Sequence, residues 1–257
     1  MGSPELRPGF AEASRLERRL VTLGDGAVTT LHVASYELSA FGLRVAVLDE
    51  AAPLAHWCER EGVSHAVVGG FFTRPGSAPL GQVRIAGEAR PCVPFDSPWG
   101  DVRACVHVQG GDVRIARRDQ LGSRPAGDLL QAGPLLVAGG RSVLADGEDV
   151  EGFSAGSRQF DSDITIGRYP RAALAIAGER LLAVACDGRG DRDAGMTLSE
   201  LAEALIELGA SEALNLDGGG SASLVHEGRL RNRPREEHGI DLLEGRPIAT
   251  ALVIEER

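Results

Sequence analysis

The stretch ALNLDGGGSASLV, from Ala213 to Val225, combines two strand-like runs with three consecutive glycines. Its first four residues have the length and alternation of a β-strand, and Asp217 stands where this pattern stops. The three glycines that come next, Gly218, Gly219 and Gly220, add no side chain to a core and lose much backbone entropy on folding. Such a loop lets a ligand approach closely and can point N–H groups at an anion. The stretch therefore predicts either a tight turn between two strands or a binding loop with a carboxylate at its mouth.

Local signals on either side of this stretch predict an α+β fold. The clearest helix covers 198–208, where Thr197 and Glu200 form a capping box and Gly209 supplies the stop. A second helix is predicted over 53–61. The remaining apolar runs are short and typical of strands, at 20–23, 27–33, 43–48, 63–68, 81–86, 102–108, 113–116, 172–177, 181–186 and 248–254. We expect one compact domain over 1–257 with a mixed β-sheet core and a few packed helices.

Two further expectations concern the arrangement of these elements. The middle of the chain, about 122–162, is rich in Gly, Pro and Asp and is expected to be mostly loops, apart from 135–138 and 142–144. The heptapeptides GVSHAVV (62–68) and GASEALN (209–215) are similar, and each comes after a predicted helix. If this is a repeat, two helix–strand units bring Gly69 and Gly70 opposite the three glycines at one end of a sheet.

Composition limits the possible functions. The 257 residues are 43% apolar and 25% charged, which indicates a globular protein, and no apolar run approaches the length of a membrane span. The net charge of −10 disfavours nucleic acid and anionic membranes as partners, so an anionic small molecule or glycan would need a local cluster of arginines. No basic region followed by an apolar one opens the chain, and we expect a cytoplasmic location, with secretion as the alternative if a leader has been removed. The oligomeric state is not predicted.

Cysteine and histidine spacing predicts no metal site, disulfide or cofactor. The cysteines are scattered without a C-x-x-C pair, at Cys58, Cys92, Cys105 and Cys186. The histidines never cluster at metal-ligand spacing and are expected to be isolated surface or core residues, at His32, His56, His65, His107, His226 and His238.

Two carboxylates are candidates for catalysis. Asp187 and Asp217 each end a predicted strand, so both are expected at the rim of a sheet. Glycoside cleavage uses such a pair, one at the anomeric carbon and one moving protons. Arg171 and Arg189 offer planar donors for a phosphate or carboxylate. The alternative is that Asp187 caps a turn and that both arginines are solvated surface residues.

Ordered blocks of sequence resemble the phosphodiester glycosidase family. They run from about 63 to 253: GGFF (69–72), AGPLLV (132–137), PRAA (170–173), VACDGR (184–189), the helix from GMTL to LGA (195–210), NLDGGGS (215–221), NRP (232–234) and RPIATAL (246–252). NLDGGGS after a GMTL helix is the specific part.

The resemblance implies hydrolysis of a sugar-1-phosphodiester or a related glycosidic linkage, with cleavage of the C–O bond. It maps a polar site onto Asp187, Arg189, Thr197, Asn215, Asp217 and Ser221, with Arg171 nearby. We assign Asp217 and Asp187 as catalytic and the other five, with Gly69, Gly70 and the three consecutive glycines, as substrate-binding. The resemblance does not say which carboxylate is nucleophile and which is base.

The chain departs from the family at two positions. Val68 stands where the family usually has Asn, and Ala172 stands where it usually has Thr. Both changes are expected to remove hydrogen-bonding groups from the cleft. A second hypothesis is therefore a glycan- or phospho-sugar-binding domain that keeps the fold without catalysis.

Overall fold

Residues 13–74, 77–144, 151–153 and 167–257 are described by the structure, a computed structural model. Its strands are, in chain order, β1 (Ser14–Thr22), β2 (Val28–Glu37), β3 (Phe41–Ala52), β4 (Ala66–Val68), β5 (Val83–Ile85), β6 (Glu88–Ala89), β7 (Ala104–Gln109), β8 (Asp112–Arg117), β9 (Asp128–Gln131), β10 (Leu135–Ala138), β11 (Arg141–Ser142), β12 (Arg171–Ala177), β13 (Arg180–Cys186), β14 (Glu212–Asn215), β15 (Leu224–His226), β16 (Arg229–Leu230) and β17 (Ile248–Glu256). The α-helices are α1 (Leu54–Glu61), α2 (Trp99–Val102) and α3 (Leu198–Glu207). No helix among these residues is long and apolar enough to cross a membrane.

The strands form three sheets. One has seven strands in the order β1-β2-β13-β12-β14-β10-β11, and the other two have five each, in the orders β16-β15-β4-β17-β3 and β6-β5-β9-β7-β8. The ladders between these strands are antiparallel wherever the structure describes them. The α+β class is confirmed, and the mixed sheet expected from the sequence is corrected to antiparallel sheets.

The central strand β12 shows how the seven-stranded sheet is buried on both faces. Ala172 and Leu174 point into the core shared with the five-stranded sheets, while Ala173 and Ala175 point into a second core. Alternation of this kind is a consequence of the two-residue period of a strand. Helix α3 covers the second core with its apolar stripe, Leu198, Leu201, Ala202 and Leu205. The small alanines let the helix lie close to the sheet.

Local chemistry explains the elements that were predicted correctly. Thr197 caps α3 as expected, since its hydroxyl accepts from the Glu200 N–H at 3.2 Å while the Glu200 carboxylate accepts from the Thr197 N–H at 2.9 Å. Gly62 ends α1 in the left-handed conformation at φ 69°. The hairpin β12–β13 turns at Gly178, whose φ is +58°.

Three expectations are corrected. The middle of the chain contains β9, which pairs with β5 and β7 although Gly and Pro surround it in sequence. The strand expected directly after the glycines starts only at Leu224, because a 3-10 turn over Gly219–Ser221 comes first. The two similar helix–strand units end in different sheets, because β4 pairs with β15 and β17 whereas β14 pairs with β10 and β12. The remainder of 122–162 lies partly outside the described residues.

Candidate active site

The glycine loop lies where the ends of two sheets meet. The Asp217 N–H donates to the carbonyl of Gly69, at the end of β4, over 3.0 Å. The Gly219 N–H donates to the carbonyl of Pro170, just before β12, over 2.9 Å. Gly219 has φ +59°, a conformation that glycine adopts without strain. The loop therefore joins the seven-stranded sheet to the sheet that contains β4.

The Gly69-Gly70 pair lies directly beside this loop, as the sequence suggested. Its two N–H groups are held by Thr250: Gly69 donates to the carbonyl at 2.9 Å, and Gly70 donates to Oγ1 at 3.0 Å. A Cβ on Gly70 would lie 2.8 Å from the carbonyl oxygen of Gln131. Glycine is required here because main chains approach one another, and these N–H groups already have protein partners.

The expectation that the three glycine N–H groups face an anion is wrong for two of them. The Gly218 N–H donates to Oδ1 of Asp217 at 2.9 Å, and the Gly219 N–H is held by Pro170. The loop uses these donors to close its own turn and to attach to β12. Gly218 and Gly219 are nevertheless partly exposed, whereas Gly220 is buried.

Asp217 is a partly exposed carboxylate in a poorly solvated position. Desolvation by the surrounding protein raises the pKa of Asp217 to about 6. The Ser221 hydroxyl, the Gly218 N–H and the charges of Arg246 and Arg74 lower this pKa without cancelling the desolvation. A carboxyl group with a pKa in this range can carry a proton near neutral pH.

Asp187 lies at the same edge of the sheet in a different environment. Strands β13 and β14 both pair antiparallel with β12, so they run in the same direction and end at one edge, roughly 10 Å apart across two strand spacings. The Asp187 side chain is buried, with Oδ2 3.1 Å from His32 Nε2 and Oδ1 accepting from the Arg233 N–H at 2.7 Å. Both carboxylate oxygens are thus occupied by the protein.

The two predicted arginines occupy different positions. Arg189 lies at the loop, since its Nη1 is 3.3 Å from where a Cβ on Gly219 would be. Arg171 is buried and donates to the carbonyls of Met196 at 3.0 Å and Gly167 at 3.2 Å. Both guanidinium groups lie near the ring of Tyr169, with Cζ to centroid distances of 5.1 Å for Arg171 and 5.3 Å for Arg189.

Two further predicted residues support the backbone around the site. Asn215 is buried, and its amide donates to the carbonyls of Gly133 and Leu216, each at 2.9 Å. Its Oδ1 has no hydrogen-bond partner among the described residues. The Thr197 hydroxyl is used by the cap of α3, donating to the Glu200 carboxylate at 3.1 Å. Asn215 therefore makes structural contacts next to the loop, and Thr197 makes them at the start of α3.

Three charged residues at the loop were not predicted. The Arg246 N–H donates to the carbonyl of Gly220 at 2.9 Å, and its guanidinium pairs with the Glu236 carboxylate, Nε to Oε1 at 2.7 Å. Oε1 of Glu236 is 2.9 Å from where a Cβ on Gly220 would lie. Arg74 is exposed and acts electrostatically on both Asp217 and Glu236. Arg246 is the first residue of the RPIATAL block, so the resemblance could have identified it. Glu236 lies in a segment without any recognisable pattern.

His32 was also missed as a partner of the site. It was expected to be an isolated residue, yet β2 places its ring against Asp187. Within the described part of the chain, no three His, Cys, Asp or Glu side chains form a group that could hold a metal ion.

The comparisons with known proteins agree on one fold. A family model described as phosphodiester glycosidase matches residues 61–255. A hypothetical protein from Synechocystis, 20% identical, superposes with a TM-score of 0.67 over 98% of this chain and 64% of its own length. The zebrafish N-acetylglucosamine-1-phosphodiester alpha-N-acetylglucosaminidase catalytic domain, auto-inhibited by its pro-peptide, is 20% identical, with a TM-score of 0.72 over 95% of this chain and 83% of that one.

A protein from Burkholderia pseudomallei, 16% identical, has a TM-score of 0.64 over 91% of this chain and 75% of its own. At these identities the likeness concerns the fold. This chain spans less than two thirds of the Synechocystis chain that it matches. Among curated proteins, none matches the chain.

Proposed function

The chain belongs to the phosphodiester glycosidase family, and from this premise we propose that it hydrolyses a sugar-1-phosphodiester or a related glycosidic linkage. The observation that carries the proposal is Asp217, a partly exposed carboxylate with a pKa near 6 on a glycine turn. Arg189 and Arg246 lie at the same turn, and Arg74 acts on Asp217 from the rim. A carboxylate beside several guanidinium groups suits a substrate with an anomeric carbon next to a phosphate.

This reaction requires few catalytic groups from the protein. Water adds to the anomeric carbon, the C–O bond to the phosphate breaks, and its electron pair stays on the departing oxygen. Because a phosphate monoester is a weak base, it needs little protonation as it leaves. Asp217 takes the proton that the attacking water loses, and the arginines stabilise charge on the phosphate.

Asp187 supports this site through its contacts with neighbouring segments. Its carboxylate binds the Arg233 N–H and His32, and Arg233 begins the segment that brings Glu236 and Arg246 to the glycine loop. We therefore propose that Asp187 holds that segment in place, a role that its contacts support more directly than the catalytic one expected from its position in the sequence.

The non-catalytic alternative rested on Val68 and Ala172. Both side chains are fully buried in the main apolar core, so neither replaces a polar group that lines an open cleft. The two departures therefore give no support to the binding domain, which remains the alternative.

A panel of chromogenic sugar phosphodiesters tests the proposal. We expect sugar release by the wild-type protein from at least one member, and none by Asp217→Asn. Binding of panel members, measured by calorimetry, without turnover by the wild type would favour the binding domain instead.

A further inference from the structure

Glycosidic cleavage is normally served by two carboxylates, and Asp217 supplies only one of them. Asp187 was the candidate from sequence for the second, but its side chain is only 4% exposed and both oxygens are occupied by His32 and the Arg233 N–H. So enclosed a carboxylate presents little surface to a substrate, whereas the Glu236 carboxylate keeps an exposed face although Arg246 pairs with both of its oxygens. A second carboxylate would act in the same reaction at the same site, so its assignment rests on the proposed function.

Glu236 is the other carboxylate that reaches the glycine loop. Its side chain is 30% exposed, and its Oε1 lies 2.9 Å from where a Cβ on Gly220 would be. A side chain at Gly220 would therefore collide with this carboxylate, which is a reason for glycine at that position. Asp217 comes directly before the three glycines and Glu236 lies against the last of them, so the two carboxylates lie at the two ends of the glycine loop.

The surroundings shift the pKa values of the two carboxylates in opposite directions. Ion pairing with Arg246 is the main cause that lowers the pKa of Glu236, and the charges of Arg74 and Arg189 act in the same direction. Desolvation instead raises the pKa of Asp217. Two acids whose environments push their pKa values apart form an arrangement suited to one permanent charge and one proton carrier.

We infer that Glu236 is the second carboxylate of the candidate active site: it stays ionised and faces the positive charge that develops at the anomeric carbon, while Asp217 receives the proton of the attacking water. The water oxygen bonds to the anomeric carbon as the C–O bond to phosphate breaks. The proton on Asp217 then passes to solvent, and the products are the free sugar and the phosphate monoester. Arg246 pairs with both oxygens of Glu236 and acts electrostatically on Asp217 in the resting protein.

A matched set of three variants tests the inference. Glu236→Gln keeps the shape of the side chain and removes its charge. Glu237→Gln changes the exposed neighbour, and Asp187→Asn changes the carboxylate favoured by sequence. On the best phosphodiester of the panel, Glu236→Gln is expected to lower kcat by about 100-fold or more with KM changed only a few-fold. Glu237→Gln is expected to match the wild type.

A second measurement makes the inference independent of turnover. Carbon-13 NMR of the carboxyl groups monitors the titration of Asp217 in each folded variant. Loss of the negative charge at 236 is expected to lower the pKa of Asp217 by about half a unit or more, whereas Glu237→Gln leaves it in place. This readout reports whether the charge of the Glu236–Arg246 pair acts on Asp217.

The outcomes separate the two claims. A wild-type protein that turns over no member of the panel contradicts the proposed function, and the NMR titration still decides the position of Glu236. A wild type that is active, with Glu236→Gln equally active or with an unmoved Asp217 titration, overturns the inference. If Asp187→Asn loses turnover at full stability while Glu236→Gln retains it, Asp187 is the second carboxylate.

Discussion

At the scale of single residues, Asp187 and Asp217 show that one residue type at one topological position can acquire two environments. Both come after strands that end at the same edge of the seven-stranded sheet. Asp187 is fixed by His32 from β2 and by the backbone of Arg233, whereas Asp217 keeps an exposed face. The sequence predicts the rim position of both from local strand signals. It cannot predict their environments, because the partners come from distant segments.

Replacing each aspartate by asparagine should separate activity from stability. Asp217→Asn is expected to abolish sugar release without lowering the free energy of unfolding at pH 7.5, because it removes a charge from a desolvated position. Asp187→Asn should lose about 1–3 kcal/mol, because an amide nitrogen cannot accept one of the two hydrogen bonds that the carboxylate accepts. Chemical denaturation and the chromogenic assay measure both. Wild-type turnover in folded Asp217→Asn would remove Asp217 from the mechanism.

Gly219 offers a test with a matched control. Gly219 and Gly178 have nearly equal φ values, +59° and +58°, but a Cβ on Gly178 meets nothing within 4 Å, while one on Gly219 meets Arg189 Nη1 at 3.3 Å. Both alanine variants are expected to lose about 1 kcal/mol of stability through backbone strain. Only Gly219→Ala should raise KM in the phosphodiester assay. Equal KM values in the two variants would mean that Arg189 does not contact the substrate.

At the scale of elements, helix α3 depends on its cap. Thr197→Ala removes an acceptor for the Glu200 N–H and is expected to cost about 1 kcal/mol of unfolding free energy. Ser199→Ala, at an exposed position inside the same helix, is the control and should not destabilise the protein. An equal melting temperature for Thr197→Ala and the wild type would show that the cap contributes nothing.

Elements with local signals were predictable, and those specified by distant partners were not. The cap and stop of α3, the start and end of α1 and the β12–β13 hairpin are determined by residues within a few positions. Strand β9 cannot be recognised from the sequence because its Gly- and Pro-rich flanks indicate a loop. It becomes a strand only by pairing with β5 and β7. The segment carrying Glu236 has no regular pattern, since Arg233 and Arg246 anchor it through long-range contacts.

At the scale of the whole molecule, the candidate site depends on the meeting of two sheets. The bond from the Asp217 N–H to Gly69 joins them, and each sheet contributes one glycine cluster. The family match begins at residue 61, yet β2 lies inside the seven-stranded sheet and supplies His32, while β3 pairs with β17. Strands β1, β2 and β3, which precede the matched region, are therefore part of the same sheets.

A contacting pair of histidines, His226 buried and His65 partly buried, should make the protein sensitive to acid. The His65 Nδ1 accepts from the Glu227 N–H at 3.4 Å and lies 3.3 Å from the Tyr36 hydroxyl, so the neutral ring is the one that fits. Burial is the main cause that lowers the pKa of His65 to about 4, and it also lowers the pKa of His226. As the pH falls, these histidines take up protons in the unfolded chain before they do so in the folded protein. Their contribution to the free energy of unfolding is therefore fully present above about pH 6.5 and is lost as the pH falls towards 4.

Asparagine at position 65 keeps an acceptor near Nδ1 without the titration. His65→Asn is therefore expected to lose less stability than the wild type between pH 7 and pH 4.5, as measured by urea denaturation. His56→Asn, at a half-exposed position on α1, is the control and should behave like the wild type. Parallel pH curves for all three proteins would exclude His65 as a source of acid sensitivity.

The central claim is that water attacks the anomeric carbon of a sugar-1-phosphodiester. Hydrolysis of the best panel substrate in oxygen-18 water, with mass spectrometry of both products, tests it most directly. The label is expected on the anomeric hydroxyl of the released sugar, with unlabelled phosphate monoester and no labelled product from Asp217→Asn. Label on the phosphate would show P–O cleavage and would contradict the account.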